Sequence, residues 1–277
     1  MSGVVRLSAV ICVQNQDAQL SACLRTLSFC DEIVVVADRC IDRSQDIARR
    51  HGALVIDGIF PMESQRKAAG LEAATGDWIL ELEPDEIVDR ALAWEIRAVL
   101  QMRPAGDWYE LPIDNYVGET RVRNGWIGGL SARRAVRLYK RGVKAWEPQR
   151  LEGAAVMAGH SGGELKGAIH RSLGGDLGGL VDRLNRLSAL RAEDLADTGV
   201  NASMGRTVLS ASTAFLRSYV ISRGWREGRL GFLVAVLSGL FSLLSQMRAR
   251  DVLAARAAAL AQARDMARAG DVVGLGR

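Results

Sequence analysis

The chain is poor in the residues that build covalent or zinc-based scaffolds. Its 277 residues include only four cysteines and three histidines, and no two cysteines form a Cys-x-x-Cys pair. A zinc site or a disulfide framework is therefore not expected. The cysteines fall in or beside apolar segments, which predicts reduced thiols packed as small hydrophobic side chains in a cytoplasmic protein. They are Cys12, Cys23, Cys30 and Cys40.

Glycine is also missing where one common nucleotide-binding motif needs it. Gly3 is the only glycine before Gly52, so the first predicted strand, Leu7–Val13, ends without a glycine turn. That turn is what lets a backbone approach the pyrophosphate of a dinucleotide. A dehydrogenase with a dinucleotide-binding fold is therefore disfavoured.

Lysine is absent from the last part of the chain. From residue 201 onward there are 11 arginines and four acidic residues, a net charge of +7. Because the whole chain carries +4, the first 200 residues carry a net charge of −3. A basic, apolar segment on an acidic body indicates contact with a membrane surface. The small total charge gives no reason to expect nucleic acid as a partner.

An uncharged run of 15 residues, 230–244, lies within this basic segment. It is shorter than the roughly 20 residues that cross a bilayer. We interpret it as an interfacial or partly inserted helix, and the alternatives are a core or oligomer helix, such as the interface of a homodimer, and a spanning helix. A separate last helix is predicted over residues 251–269, ending at Gly270.

The first hundred residues alternate between strand and helix patterns. This alternation predicts an α/β fold with a mainly parallel sheet flanked by helices, in which ligands bind beyond the carboxyl ends of the strands. The predicted strands are Leu7–Val13, 33–37, 54–56 and Trp78–Leu82, and the predicted helices are 18–27, 42–51, 63–74 and Arg90–Gln101.

Three carboxylates follow the apolar strand Trp78–Leu82 almost directly: Glu83, Asp85 and Glu86. Such clusters are costly to bury and suit hard cations such as Mg²⁺ or Mn²⁺, which are often held by one or two carboxylates and substrate phosphates. The alternative is a solvated turn into a helix, since Pro, Asp and Glu also favour that position.

A second charged stretch covers residues 121–142. Arginine can bind phosphate through paired hydrogen bonds, so this stretch is either a phosphate site or a solvated basic strand pair. Its cations are Arg121, Arg123, Arg133, Arg134, Arg137, Lys140 and Arg141.

Taken in order, these segments resemble the bacterial family 2 glycosyltransferases, in the branch of lipopolysaccharide-core β-1,4-glucosyltransferases, roughly from Leu7 to Met247. The resemblance implies a GT-A-type, Rossmann-like fold with an amphipathic or apolar helical C-terminal region. It also implies a nucleotide-sugar-binding and catalytic domain over 1–175 and a membrane-associating or oligomerising region over 176–277. The matching segments are 7–11 with 14–16, 33–37 with 38–44, 65–68, 78–86, 125–126, 137–142, 215–219 and 231–232.

The resemblance also implies roles for individual residues. Asp85 first and Glu83 second are expected to bind Mg²⁺ or Mn²⁺, and Glu86 is expected to bind the same metal or alternatively to orient its ligands or contact the sugar. The nucleotide-diphosphate sugar is expected to contact a set of donor-binding residues, which is given at the end of this paragraph. Two of them, Arg134 and Arg137, are alternatively contacts for a phosphorylated acceptor. Asp42 is alternatively only the cap of its helix. The full donor-binding set is Gln14, Asn15, Gln16, Asp38, Asp42, Arg66, Glu83, Arg134 and Arg137.

The activity implied is an inverting glycosyltransferase that extends a lipid-linked or lipopolysaccharide glycan at the cytoplasmic face of the bacterial inner membrane. The catalytic base is expected to be Glu152 or Glu147, although the branch carries a His-Glu pair where this chain has Arg150-Leu151. Two further departures, Gln14-Asn15-Gln16 and Glu83-Pro84-Asp85, support an alternative hypothesis: a non-catalytic, glycosyltransferase-like binding protein at the membrane.

Overall fold

The computed structural model describes residues 5–102, 104–126, 129–146, 155–199 and 203–274, with side chains described as far as Gln262. The first half alternates strands and helices as the sequence predicts. In chain order the elements are β1 (Leu7–Val13), α1 (Asp17–Arg25), β2 (Glu32–Asp38), α2 (Ser44–Arg50), β3 (Leu54–Gly58), α3 (Glu63–Ala73), β4 (Trp78–Leu82), β5 (Glu86–Val88) and α4 (Arg90–Gln101).

The second half begins with strands and ends with helices. The strands are β6 (Trp108–Val117), β7 (Thr120–Val122), β8 (Arg134–Lys140), β9 (Lys144–Trp146), β10 (Ala155–Met157), β11 (Ser161–Glu164) and β12 (Ile169–Ser172). The helices are α5 (Leu177–Asp197), α6 (Met204–Leu216) and α7 (Gly228–Gly274), with a π-helical turn at Arg217–Ile221 and a 3₁₀ turn at Gly224–Glu227 between the last two.

The main sheet has the strand order β3-β2-β1-β4-β8-β6-β12-β5. The pairs β3–β2, β2–β1, β1–β4 and β6–β12 are parallel, while β8 runs antiparallel to both β4 and β6. Because β2, β1 and β4 are parallel neighbours, their carboxyl ends meet at one edge of the sheet. The prediction of an α/β fold with a mainly parallel sheet flanked by helices is confirmed.

Both faces of the central strands are buried, which explains their uninterrupted apolar sequences. Along β1, Ala9 and Ile11 pack into a large cluster with α1 and α4, whereas Val10 packs into a smaller cluster with Val34 and Ile79. The central strands therefore form a rigid platform for whatever their tips carry.

Several helices begin at side-chain caps. Asp89 accepts a hydrogen bond from the backbone N–H of Leu92 at the start of α4, and Asp176 accepts one from Gly179 at the start of α5. Asp42 accepts hydrogen bonds from the backbone N–H and the hydroxyl of Ser44, the first residue of α2. Capping of this kind satisfies backbone donors that have no partner within the helix.

The C-terminal helices pack on a separate apolar cluster. Val234 and Leu237 of α7 are buried against Leu180 and Leu184 of α5, together with Trp126. By length and composition the stretch Gly224–Gln262 could cross a membrane, but 39% of its most apolar window is buried inside the protein. A core helix passes the same test, so this stretch is weak evidence for spanning.

The prediction of a separate last helix over residues 251–269 was wrong. Residues 228–274 form one continuous helix, in which Gly270 lies inside α7 rather than after its end. The alanine-rich sequence before Gly270 favours a helix, and a single glycine within it costs only about 1 kcal/mol. The division into domains at residues 175 and 176 stays a prediction.

Gly70 of α3 tests how closely this helix approaches the sheet. A Cβ at this position would lie 2.6 Å from Cγ1 of Val10 and 3.0 Å from Cγ2 of Val36. We expect Gly70→Ala to lower the free energy of unfolding by about 1–2 kcal/mol, because overpacking outweighs the gain in helix propensity. Urea denaturation measures the change.

Gly205→Ala is the matched control, because a Cβ at Gly205 in α6 meets no atom within 4 Å. This change is expected to be neutral or to stabilise the protein by up to about 1 kcal/mol. Equal effects of the two substitutions would contradict the close approach of α3 to the sheet.

Candidate functional site

The tips of β1 and β4 open into one cavity of about 730 Å³. Gln14 and Gln16 after β1 line it, as do Glu83 and Asp85 after β4. Volumes of 300–1,000 Å³ are usual for ligand sites. The cavity therefore lies at the edge of the sheet where the sequence predicted a ligand.

Glu81, inside β4, is a buried carboxylate surrounded by donors. The Nζ atom of Lys67 lies 2.9 Å from its Oε1, the Nζ atom of Lys144 lies 2.8 Å from its Oε2, and the hydroxyl of Tyr139 donates to the same Oε2 at 2.8 Å. Both ammonium groups also lie 4.0 Å from the ring centroid of Trp146. Such pairing offsets the large cost of burying the carboxylate.

Glu86 is the second buried carboxylate of this region. Nη2 of Arg137 lies 3.1 Å from its Oε1, and Nη2 of Arg171 lies 2.5 Å from the same atom. Its Oε2 accepts a hydrogen bond from the backbone N–H of Glu83 at 2.8 Å. Glu86 thus holds two arginines and the turn after β4 in place.

Asp85 is the third buried carboxylate of this region, and the cation beside one of its oxygens is more distant than the one beside Oε1 of Glu81. Nη1 of Arg183 donates to Oδ2 at 2.9 Å, whereas Oδ1 is buried with Nε of Arg171 at 3.8 Å and has no hydrogen-bond partner among the described residues. A buried carboxylate oxygen without a donor is costly. It is a natural contact for a bound cation.

Burial and neighbouring charges shift the pKa values of Glu83 and Lys144. Burial would raise the pKa of Glu83, but Lys67 and Arg137, each with a nitrogen 3.5–3.6 Å from its Oε1, hold that pKa at about 2. Burial lowers the pKa of Lys144 to about 8, although Glu81 opposes the shift. Glu83 is therefore ionised at neutral pH.

These carboxylates fit a divalent metal only with help from a substrate. The described residues hold no group of three or more His, Cys, Asp or Glu side chains that could bind a metal. Mg²⁺, however, is commonly held by one or two carboxylates together with phosphate oxygens. Asp85, through its unpaired Oδ1, and Glu83, whose side chain is 23% exposed to the cavity, satisfy that pattern. Glu86, fully buried on two arginines, is placed to orient them instead.

Other predicted residues lie around the tip of β2. Asp38 is buried, accepts hydrogen bonds from Arg39 and from the backbone N–H of Phe60, and lies 3.9 Å from Nη1 of Arg66. Arg66 also pairs with Glu63 and lines the cavity. The structure therefore joins Arg66 to the same site as Asp85.

Four predicted donor contacts lie outside the residues that line the cavity, and Asp38, described above, is one of them. Asn15, at a positive φ of 52°, accepts a hydrogen bond from the backbone N–H of Ile41. Asp42 accepts hydrogen bonds from Ser44, the first residue of α2, and from the backbone N–H of Asp17. Arg134 is exposed, with Nη1 3.2 Å from Oε2 of Glu164. Glu147 and Glu152, the two candidates for the base, lie outside the described residues.

Sequence reasoning missed several cations of the site. Arg171, Arg183 and Lys144 come from β12, α5 and β9, and each reaches a carboxylate from a distant part of the chain. No local pattern marks them. Lys67 could have been predicted from the sequence, because it adjoins Arg66 in the segment 65–68 that carries part of the family resemblance.

Known proteins similar in sequence to this chain are glycosyltransferases. A lipopolysaccharide core biosynthesis glycosyltransferase of Rhizobium meliloti, LpsC, is 26% identical over 256 residues, which cover 86% of this chain and 90% of that protein. An uncharacterized glycosyltransferase of Rickettsia prowazekii, RP128, is 22% identical over 266 residues, covering 89% and 87%. The resemblance to bacterial glycosyltransferases is thereby confirmed over most of the chain. No model of a protein family matches it.

The solved structures that resemble this chain do so at low TM-scores. The Staphylococcus aureus TarS fragment 1–349 has a TM-score of 0.45 at 12% identity, covering 92% of each chain. The glucosyl-3-phosphoglycerate synthase of Mycobacterium tuberculosis, in complex with Mn²⁺, UDP and glucosyl-3-phosphoglycerate, also has a TM-score of 0.45, at 14% identity, covering 72% of this chain and 82% of that one.

Glu83 provides a test of the electrostatics of the site through acid stability. Its pKa in the folded protein is about 2, below the usual 4.5, so its pairing stabilises the fold above pH 4.5 and is lost as the pH falls towards 2. We expect the free energy of unfolding of Glu83→Gln to fall less steeply over this range than that of the wild type. The difference should be at most about 1.4 kcal/mol per pH unit, measured by urea denaturation.

Glu119→Gln is the control, because Glu119 is exposed between β6 and β7. Its profile should follow that of the wild type. If Glu83→Gln also did so, the arrangement of Lys67 and Arg137 around Glu83 would be incorrect.

Proposed function

We propose that this protein is an inverting glycosyltransferase. It moves a sugar, a hexose by resemblance, from a nucleotide-diphosphate sugar to a lipid-linked or lipopolysaccharide glycan. The observation that carries the proposal is the cavity at the tips of β1 and β4, which is lined by arginines and a lysine and by Asp85, whose Oδ1 accepts no hydrogen bond from the described residues. The similarity to LpsC over most of both chains supports the acceptor class.

The cations of the cavity suit a diphosphate. Arg66, Arg137 and Lys144 line it, and their charges would attract the phosphate oxygens of a nucleotide donor. Asp85 and Glu83 would hold Mg²⁺ or Mn²⁺, which neutralises charge on the departing diphosphate when it is bound. Gln14 and Gln16 are placed to donate hydrogen bonds from their amides at the tip of β1.

The transfer proceeds by a single displacement. The acceptor hydroxyl oxygen forms a bond to the anomeric carbon while the bond from that carbon to the diphosphate oxygen breaks, and the hydroxyl proton passes to a carboxylate base. Attack from the face opposite the leaving group inverts the configuration. Glu152 or Glu147 is the predicted base.

Donor binding tests this proposal directly. The wild type is expected to be stabilised by one nucleotide-diphosphate sugar in the presence of Mn²⁺ or Mg²⁺, by about 2.7 kcal/mol at 100 times its dissociation constant. Asp85→Asn should weaken that binding at least about ten-fold, because it removes the charge on the proposed metal ligand. A thermal-shift screen of nucleotide sugars with and without metal measures both effects.

Asp182→Asn is the control, since Asp182 is an exposed residue of α5 that is not among those lining the cavity. Silence of the wild type across a complete panel of nucleotide sugars would refute the donor site. If a nucleotide sugar bound equally well with EDTA present and to Asp85→Asn, the proposed metal site would be refuted and the proposed donor site would stand.

The pairing of the carboxylates favours one alternative, a non-catalytic binding protein of glycosyltransferase type. Glu81, Asp85 and Glu86 each contact arginine or lysine side chains, which already balance their charge. This alternative requires that Asp85→Asn complements a deletion strain as well as the wild-type gene does. Loss of complementation, with normal protein levels, would contradict it.

We further propose that the protein lies peripherally on the inner face of the bacterial inner membrane. Exposed apolar residues extend from α6 through the following turns, and arginines lie among them. This apolar surface consists of Val208, Leu209, Leu216, Val220, Ile221 and Trp225, and the arginines are Arg217, Arg223, Arg226 and Arg229. Apolar side chains flanked by arginine suit a bilayer with anionic lipid headgroups.

Vesicle binding tests this location. The double substitution Ile221→Ser and Trp225→Ser is expected to reduce binding to vesicles containing anionic phospholipid at least about ten-fold, because it removes two exposed apolar contacts. Trp94→Ser is the control, since Trp94 is 76% exposed on α4, outside the apolar surface. A co-sedimentation assay measures binding.

Unchanged vesicle binding by the double variant would contradict this orientation. If the wild type instead formed a homodimer that the double variant could not form, as measured by light scattering, the apolar surface would be an interface between two copies of the chain.

A further inference from the structure

Helix α5 supplies a wall of the cavity that is distinct from the strand tips. The residues of α5 that line the cavity are two arginines, three apolar residues and one acid: Arg183, Arg186, Leu187, Ala189, Leu190 and Glu193. Glu193 forms an ion pair with Arg256 of α7 at 2.8 Å. Arg183 is fixed at both ends of its guanidinium group, since Nε donates to the carbonyl of Leu130 and Nη1 donates to Oδ2 of Asp85, each at 2.9 Å. This double contact anchors α5 to the carboxylates of the strand tip.

Arg186 has a different environment. It is exposed, lines the cavity, and makes no hydrogen bond or ion pair with any residue that the structure describes. The other cations that line the cavity each contact a carboxylate: Arg66 on Glu63, Arg137 and Arg171 on Glu86, Lys144 on Glu81 and Arg183 on Asp85. Among the described residues, Arg186 is therefore the cation of the cavity that has no carboxylate partner, because Glu193, the acid on the same wall, is paired with Arg256.

Arg186 lies about one helical turn from Arg183, the residue that contacts Asp85. It follows Arg183 by three residues, which is a rise of about 4.5 Å along the helix. The side chains of Leu187 and Leu190 lie beside it on the same wall. A guanidinium group next to apolar side chains matches a sugar ring that carries an anionic substituent, because the ring offers C–H groups and the substituent accepts paired hydrogen bonds.

We propose that α5 forms an acceptor subsite for an acidic glycan, in which Arg186 binds a phosphate or carboxylate group on the acceptor sugar while Leu187 and Leu190 contact its ring. This inference rests on the proposed function, since it names the acceptor class of the same site. The volume of about 730 Å³ lies in the upper part of the range for ligand sites, as room for a donor and an acceptor sugar requires.

The test uses the full-length protein saturated with the nucleoside diphosphate and metal identified by the donor screen, so that the phosphate contacts of the strand tips are filled. Glucose 6-phosphate, glucuronate and glucose are then titrated and followed by ligand-observed NMR. We expect the wild type to bind at least one of the two acidic sugars about ten-fold more tightly than glucose. The phosphate and carboxylate arms show which anion the subsite takes.

Arg186→Gln should bind all three sugars with the affinity of glucose, and Arg186→Lys should retain part of the preference, because lysine keeps the charge without the paired geometry. Arg191→Gln, on the same helix but not among the residues that line the cavity, should behave as the wild type. Urea denaturation establishes that each variant is folded.

Two results would overturn the subsite: a wild type that binds glucose as tightly as both acidic sugars, or an acidic preference that survives Arg186→Gln. The proposed function fails in a different way. If no nucleoside diphosphate stabilised the wild type, yet an Arg186-dependent preference for acidic sugars was measured without it, the subsite would stand and the transfer reaction would not.

Discussion

The structure depends on the compensation of buried carboxylates at the end of β4. Five side chains from five different elements neutralise Glu81, Asp85 and Glu86: Lys67, Arg137, Lys144, Arg171 and Arg183. Each carboxylate buried alone would cost several kcal/mol, and removing one partner of such a pair leaves the other uncompensated. The position of these five elements is thus tied to the charge of one short strand end.

The sequence predicted the framework of this site better than its contacts. β1, β4 and α4 have the predicted bounds, because an apolar run buried on both faces and a capped, periodic helix are local patterns. Lys144 and Arg171 could not be found in this way, since a lysine or arginine on a short strand has the same sequence whether it faces solvent or a carboxylate. Only the pairing of β8, β9 and β12 decides between these environments.

The C-terminal helices link the cavity to the apolar surface of α6. α5 contacts Asp85 through Arg183 and packs on α7 through Leu180 and Leu184. Glu193 and Asp197 near the end of α5 pair with Arg256 of α7. The sequence favoured an interfacial or partly inserted helix for the uncharged run of α7 and left a core helix as an alternative. In the structure Val234 and Leu237 of this run are buried, and Phe232 is half exposed.

The distance along the chain between Asp85 and Arg183 has a consequence for biosynthesis. The two residues are 98 positions apart, so at 5–20 residues per second Arg183 leaves the ribosome about 5–20 s after Asp85. During this interval the central strands can pair and Glu86 can meet Arg137 and Arg171, but Asp85 lacks the hydrogen bond that Arg183 donates. The acidic turn after β4 therefore acquires its last cation only once α5 has been synthesised, so a chain stalled before α5 would carry an incompletely neutralised edge.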